Sequence, residues 1–111
     1  MLRIFLTIEA AGFLAASLIH FGFLIQGYEH TKARIPEGII GLVLLIGVVL
    51  TMIYPQKINT ISLIAQGFAL FGTLVGLFTI ILGIGPRTLP DIIFHALIIC
   101  LLVWGLIIAK S

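Results

Sequence analysis

INTISLIAQGFALFGTLVGLFTIILGI, from Ile58 to Ile84, contains no aspartate, glutamate, lysine or arginine. A helix needs about 20 mostly apolar residues to cross the hydrocarbon of a bilayer, and this run is longer than that. It does not alternate apolar with polar residues and is too long for a barrel strand, so it reads as a membrane helix. Three other runs share its character: Ile4 to Ile25, Gly38 to Tyr54, and Leu89 to Ala109. Together the four use nearly all of the 111 residues and leave no room for a soluble domain. Composition agrees, with 61% hydrophobic and 9% charged residues and a mean hydropathy of +1.33. A soluble domain carries roughly 25% charged residues. The expected fold is all-α, a four-transmembrane-helix bundle forming a single integral-membrane domain over residues 1–111.

The connections fit these spans. QGYEHTKARIPEG, from Gln26 to Gly38, collects most of the polar residues. YPQKINT (Tyr54 to Thr60) and GIGPRTLP (Gly83 to Pro90) are short turns built on proline and glycine. Tyr28 and Tyr54 fall at span ends and Trp104 near one, where amphipathic rings prefer the interface. The first span resembles a signal peptide, with Arg3 near its start, but Glu9 interrupts it and its apolar character continues past Ala16, so a retained helix is expected. Cys100 is the only cysteine, which rules out an intramolecular disulfide, and mid-helix it reads as a small apolar filler.

Four spans place both termini on one side. That side carries Arg3, Lys57 and Lys110; the other carries Lys32, Arg34 and Arg87, a tie under the positive-inside rule. Glu29, Glu37 and Asp91 offset the charge of the second side, so the termini are expected in the cytoplasm, in a bacterial inner membrane. The scattered charge, +2 in all, gives no footprint for nucleic acid.

Two segments repeat a pattern. GFLAASLIHFGFLIQGYEHTKARIPEGIIG from Gly12 and GFALFGTLVGLFTIILGIGPRTLPDIIFH from Gly67 each run helix, turn, basic residue, then proline and an acid: Pro36-Glu37 and Pro90-Asp91. Each unit would be a helical hairpin, and such repeats are common in membrane proteins. At 100° per residue, Glu9, Gly12, Ala16, His20 and Gly27 share one stripe of the first span. Asp91, His95, Ile98, Leu102, Gly105 and Ala109 share one on the fourth. Polar side chains avoid hydrocarbon and small residues mark close helix contact, so both stripes are expected to face inward. Gly72 and Gly76 form a G-x-x-x-G that fits ordinary close packing.

Three polar groups need an explanation. In TLPD, Thr88 can cap a helix that Pro90 starts, and Asp91 three residues on resembles a capping box. Glu37 in RIPEG has the same account. His95, one turn deeper, does not. His20 lies at nearly the same depth, so two imidazoles meet one level on separate helices. Such a pair can ligate haem b iron axially, or join Asp91 and Glu37 around a divalent metal, with Glu29 and His30 above the mouth. The alternative is structural, each histidine hydrogen-bonding a neighbour, for instance His95 to Asp91. Ile98 and Leu102 below His95 would crowd a haem slot. Glu9 lies about 16 Å along the helix from His20. Gln66 and Thr51 fall near its depth, and it is expected to be a buried acid that fixes packing or the start of a proton path.

AASLIHFGFLIQGYEHTKARIPE and GPRTLPDIIFHALII resemble segments of small four-span hypothetical membrane proteins of bacteria. That resemblance covers almost the whole chain and implies architecture but no chemistry. The paired cysteines of the vitamin K epoxide reductases, another small four-span family, are absent. Three functions follow from the residues. The first expectation is a non-catalytic accessory subunit packing against other subunits of a larger respiratory or photosynthetic complex, since no catalytic constellation stands out. The second is a haem- or metal-binding redox protein using His20 and His95. The third is a small proton-coupled transporter or channel with Glu9 and His20 along its lumen.

Overall fold

A computed structural model describes residues 1–23, 34–85 and 88–110. It contains four α-helices: α1 (Leu2–Phe21), α2 (Arg34–Ile53), α3 (Ile58–Leu82) and α4 (Leu89–Lys110), with a single 3₁₀ turn at Pro55–Lys57 between α2 and α3. Every helix is long and apolar enough to cross a bilayer. The bundle is 43 Å along its longest axis. Helices of 20–25 residues are about 30–37 Å long and match the hydrocarbon core of a bilayer, about 30 Å thick. The chain is an all-α four-helix membrane protein.

The helix ends follow the local chemistry. α1 stops at Phe21, short of the expected Ile25, because Gly22 adopts φ 86° and its N–H bonds to the Ile19 carbonyl while Phe23 N–H bonds to Leu18. α3 ends the same way at Gly83, φ 85°, with N–H groups of Gly83 and Ile84 on the carbonyls of Ile80 and Thr79. Only glycine takes this left-handed conformation without steric cost, and the motif satisfies carbonyls the helix leaves open. α2 starts at Arg34, four residues before the expected Gly38, because Pro36 belongs inside its first turn. The two expected hairpins therefore share both devices, a glycine cap closing the first helix and a proline–acid pair opening the second.

α1 packs most extensively on α2, and α3 on α4, while α1 also reaches α3 across the bundle. A core of Leu6, Ala10, Phe13, Ile40, Leu44, Val48, Ala65, Ala69, Ile98 and Leu102 fills the centre. α1 and α2 approach closely at Gly41, where an added Cβ would come 2.8 Å from the Leu14 side chain. Gly72 lies against Ile40 of α2 and Gly76 against His95 of α4, so the G-x-x-x-G serves two close contacts. Polar ties close the end opposite the Gln26–Gly38 connection. Arg3 donates to the Thr51 carbonyl (2.9 Å) and hydroxyl (3.1 Å), and the Asn59 amide donates to the Ala109 carbonyl (2.9 Å).

The stripe expected on α4 is inward from His95 onward: His95, Ile98, Leu102, Gly105 and Ala109 are all buried. On α1 the buried face is rotated from expectation. It runs through Leu6, Glu9, Phe13, Ser17 and His20, while Gly12 and Ala16 are half-buried. The reason is the partner. α1 sets its bulky residues into the core beside α2, and its small residues line a groove against α4. Gly27 lies outside the described residues. Cys100 is exposed on the outer face of α4, so it is not a core filler. Tyr54 and Trp104 are exposed, Trp104 with its ring edge-on to Phe5 at 5.2 Å; Tyr28 lies outside the described residues.

Candidate functional site

Two buried polar layers cross the bundle. The upper one, at the end near the Gln26–Gly38 connection, centres on His20. Its Nδ1 faces Glu37 Oε1 and its Nε2 faces Asp91 Oδ1 at 2.9 Å. The three side chains come from α1, α2 and α4. The His20 side chain is 4% exposed and those of the two acids 11%. With both N–H groups in place the imidazole would donate to each acid, and as a neutral ring it would donate to one and accept from the other when that acid is protonated, so the three groups form a continuous chain.

The sequence explains how each group arrives there. Glu37 and Asp91 each follow a proline in the first turn of a helix, where the helix dipole favours an anion. Asp91 has both roles weighed for it. Its Oδ2 accepts from the Thr88 N–H (3.2 Å) and hydroxyl, while Oδ1 faces His20. One oxygen caps the helix and the other builds the site. Ser17, one turn before His20, donates from its hydroxyl to the Arg34 carbonyl and anchors the start of α2. Gly38 makes room for that contact, since an added Cβ would come 2.9 Å from the Ser17 hydroxyl. Arg34 also lies over the Phe21 ring at 4.9 Å. Ser17 was not singled out from the sequence; its spacing from His20 was the available signal.

His95 is buried on α4 but stands apart from the chain of acids. Its Nδ1 donates to the Asp91 backbone carbonyl at 2.8 Å, and Nε2 lies against Gly76. The bond to Asp91 one turn back therefore exists, made to the backbone rather than the carboxylate. Of the residues named from sequence for haem or metal, Glu37 and Asp91 meet the ring of His20, while His95 bonds back to its own helix. Both His20 ring nitrogens are engaged by carboxylates, so ligation by His20 would first require breaking one of these pairs. Among the described residues, no group of three or more His, Cys, Asp or Glu side chains is disposed to hold a metal ion. Glu29 and His30 lie outside the described residues.

Beside the chain is a cavity of about 140 Å³ lined by Glu37, His95, Thr73, Phe13, Ile40 and Phe94, among others. One oxygen of Glu37, Oε2, is buried with no hydrogen-bond partner among the described residues. On the other flank, between α1 and α4, Gly12, Ala15, Ala16 and Ile19 border a more open groove of about 400 Å³ that reaches His20 and Asp91.

The lower layer lies in the opposite half of the bundle. Glu9, Ser62 and Gln66 are fully buried there, and so is Thr51. Thr51 is engaged by Arg3 and the Val48 carbonyl. Ser62 was missed in the sequence, although it shares the buried face of α3 with Gln66 four residues on. Phe13, Leu44, Ala69, Ile98 and Leu102 fill the core between the layers, so apolar packing interrupts the expected path from Glu9 to the histidines. No protein-family model, curated protein or solved structure matches the chain.

Proposed function

We propose that this membrane protein is a small proton-coupled transporter in which Glu37, His20 and Asp91 accept and release the coupling proton. The observation that carries this proposal is the imidazole of His20 held between carboxylates from two other helices within the membrane. Ionisable groups are expensive there and are typically retained for ion or proton pathways. With Asp91 protonated and the ring carrying its proton on Nδ1, Nε2 takes the Asp91 proton as Nδ1 passes its own to Glu37, which leaves Asp91 ionised, Glu37 protonated and the ring as the Nε2–H tautomer. The next transfer in the same direction requires the ring to turn over, which couples proton passage to a movement at this site. The apolar packing between the two polar layers favours a carrier that changes conformation over an open channel.

The neighbouring cavity suggests the solute. A dry cavity of about 150 Å³ accommodates benzene, so about 140 Å³ suits a molecule of that size. Its aromatic and aliphatic walls fit an apolar body, and Glu37, Thr73 and His95 fit one polar end. An accessory role in a larger membrane complex draws on the apolar exterior, but that exterior covers all four helices and suits lipid equally.

Proteoliposomes containing a pH-sensitive dye test the proposal. Under an imposed potassium diffusion potential, with phenol present as a probe solute, the wild type should acidify the lumen. His20→Gln should abolish that flux while remaining folded. Wild-type vesicles no more permeable to protons than protein-free ones would overturn the proposal and leave the chain of acids a purely structural tie.

A further inference from the structure

Glu9 is fully buried, and neither carboxylate oxygen has a hydrogen-bond partner among the described residues. It occupies the face of α1 shared by Leu6 and Phe13, both core residues, so it points into the bundle. Across from it on α3, Ser62 and Gln66 lie one turn apart on one buried face. Packing sets the level. Gly47 of α2 touches Leu6 on one side and Ala65 on the other, and Glu9 and Gln66 follow these by three residues and one. The Gln66 amide donates to the Ser62 carbonyl at 3.2 Å, which leaves its Oε1 unpartnered, and the Ser62 hydroxyl is unpartnered as well. Gly105 of α4 is required beside this group, because any Cβ there would overlap Gln66 Oε1.

Four buried oxygens without a donor therefore lie in this half of the bundle, with Glu9 and Gln66 within about one helical turn of one level and Ser62 one turn before Gln66, and one pair belongs to a carboxylate. A lone carboxylate in a low-dielectric interior is costly and takes up a positive partner. Among the described residues none is found at this level. The buried face of α3 has no titratable group, while those of α2 and α4 offer only Glu37 and His95, both in the upper layer. Arg3, on α1 itself, is engaged with Thr51. Carboxylate, amide carbonyl and hydroxyl oxygens form a hard donor set, suited to a hard cation. A single negative charge balances a monovalent ion, whereas a divalent one would leave net charge in the membrane.

We propose that Glu9, Gln66 and Ser62 form a buried site for a monovalent cation, either Na⁺ or a proton, separate from the His20 chain. The same oxygens bind either. Na⁺ would sit between Glu9 and Gln66 Oε1, whereas a proton on Glu9 would be donated to Gln66 Oε1.

The purified full-length protein in detergent can be treated with dicyclohexylcarbodiimide, an apolar reagent selective for protonated buried carboxyl groups, and the adduct mapped by mass spectrometry. Glu9 should be modified, and Glu9→Gln should lose that adduct while His20→Gln keeps it. Protection by Na⁺ at constant ionic strength against choline identifies a sodium site, with labelling slowed about elevenfold at ten times the dissociation constant. Protection by raised pH alone identifies a proton site. Gln66→Leu should weaken either form of protection. Labelling of Glu9 that is unaffected by both Na⁺ and pH, or its absence at every pH, would overturn the proposal. The wild-type protein alone decides this, so the result does not depend on a variant folding, and failure of the proton-flux assay would leave it standing.

Discussion

His20→Ala and His95→Ala should differ sharply in cost, although both remove a buried imidazole from the same half of the bundle. His20 serves two carboxylates whose side chains are 11% exposed, so solvent screening of these pairs is slight. Removing one partner of a buried ion pair typically costs about 3–5 kcal/mol, because the remaining charge is left uncompensated. His20→Ala strands Glu37 and Asp91 together, and a loss of about 3–5 kcal/mol is expected. Among the described residues His95 makes one ring hydrogen bond, to a backbone carbonyl. That bond lies within α4, a neutral hydrogen bond contributes about 0.5–1.5 kcal/mol net, and with some lost packing His95→Ala should cost about 1–2 kcal/mol. Reversible unfolding in mixed maltoside and dodecyl sulfate micelles measures both, followed by Trp104 fluorescence, since that ring reports the α1–α4 contact through Phe5. A triple change of His20→Leu, Glu37→Gln and Asp91→Asn should regain most of the loss, because no stranded charge remains. Equal costs for the two single variants, within about 0.5 kcal/mol, would refute the claim that charge compensation dominates at His20.

The same assay checks the packing. Gly41→Ala would force a methyl to within 2.8 Å of the Leu14 side chain and 3.1 Å of its backbone nitrogen, and should destabilise the bundle by about 1–3 kcal/mol. Gly67→Ala, with no atom within 4 Å of the new methyl, should be neutral or stabilise by up to about 1 kcal/mol. Gly83→Ala should cost about 1–2 kcal/mol through its φ of 85° alone, which a melting curve would register. Thr88→Val removes the hydroxyl paired with Asp91 and should cost about 1 kcal/mol, while Thr88→Ser should retain stability.

The amino-acid sequence determined the architecture, because the bilayer leaves a chain of this composition few alternatives. Runs such as Ile58–Ile84 must satisfy every backbone group within themselves, and a helix does this without a partner. The turn chemistry was equally local: Gly83 and Pro90 mark their helix ends whatever surrounds them, and Pro36 marked one too, although the start of α2 was placed too late. The inward face of α4 was legible from His95 onward because polar and small residues there follow one helical phase. On α1 the phase misled, since Gly12 and Ala16 answer to α4 while Phe13 and Ser17 answer to the core, and only the packing of four helices decides which neighbour each face meets. The pairing within the site was likewise a tertiary outcome. Glu37 and Asp91 sit at matching places in the two hairpins, so their roles as first-turn acids could be read directly. That both converge on His20, while His95 turns back to its own helix, depends on distances between helices that no local pattern encodes. Ser62 had no signal beyond its spacing from Gln66, and the isolation of Glu9 from the upper layer follows from the bulky Phe13, Leu44, Ile98 and Leu102 that α1, α2 and α4 bring between them.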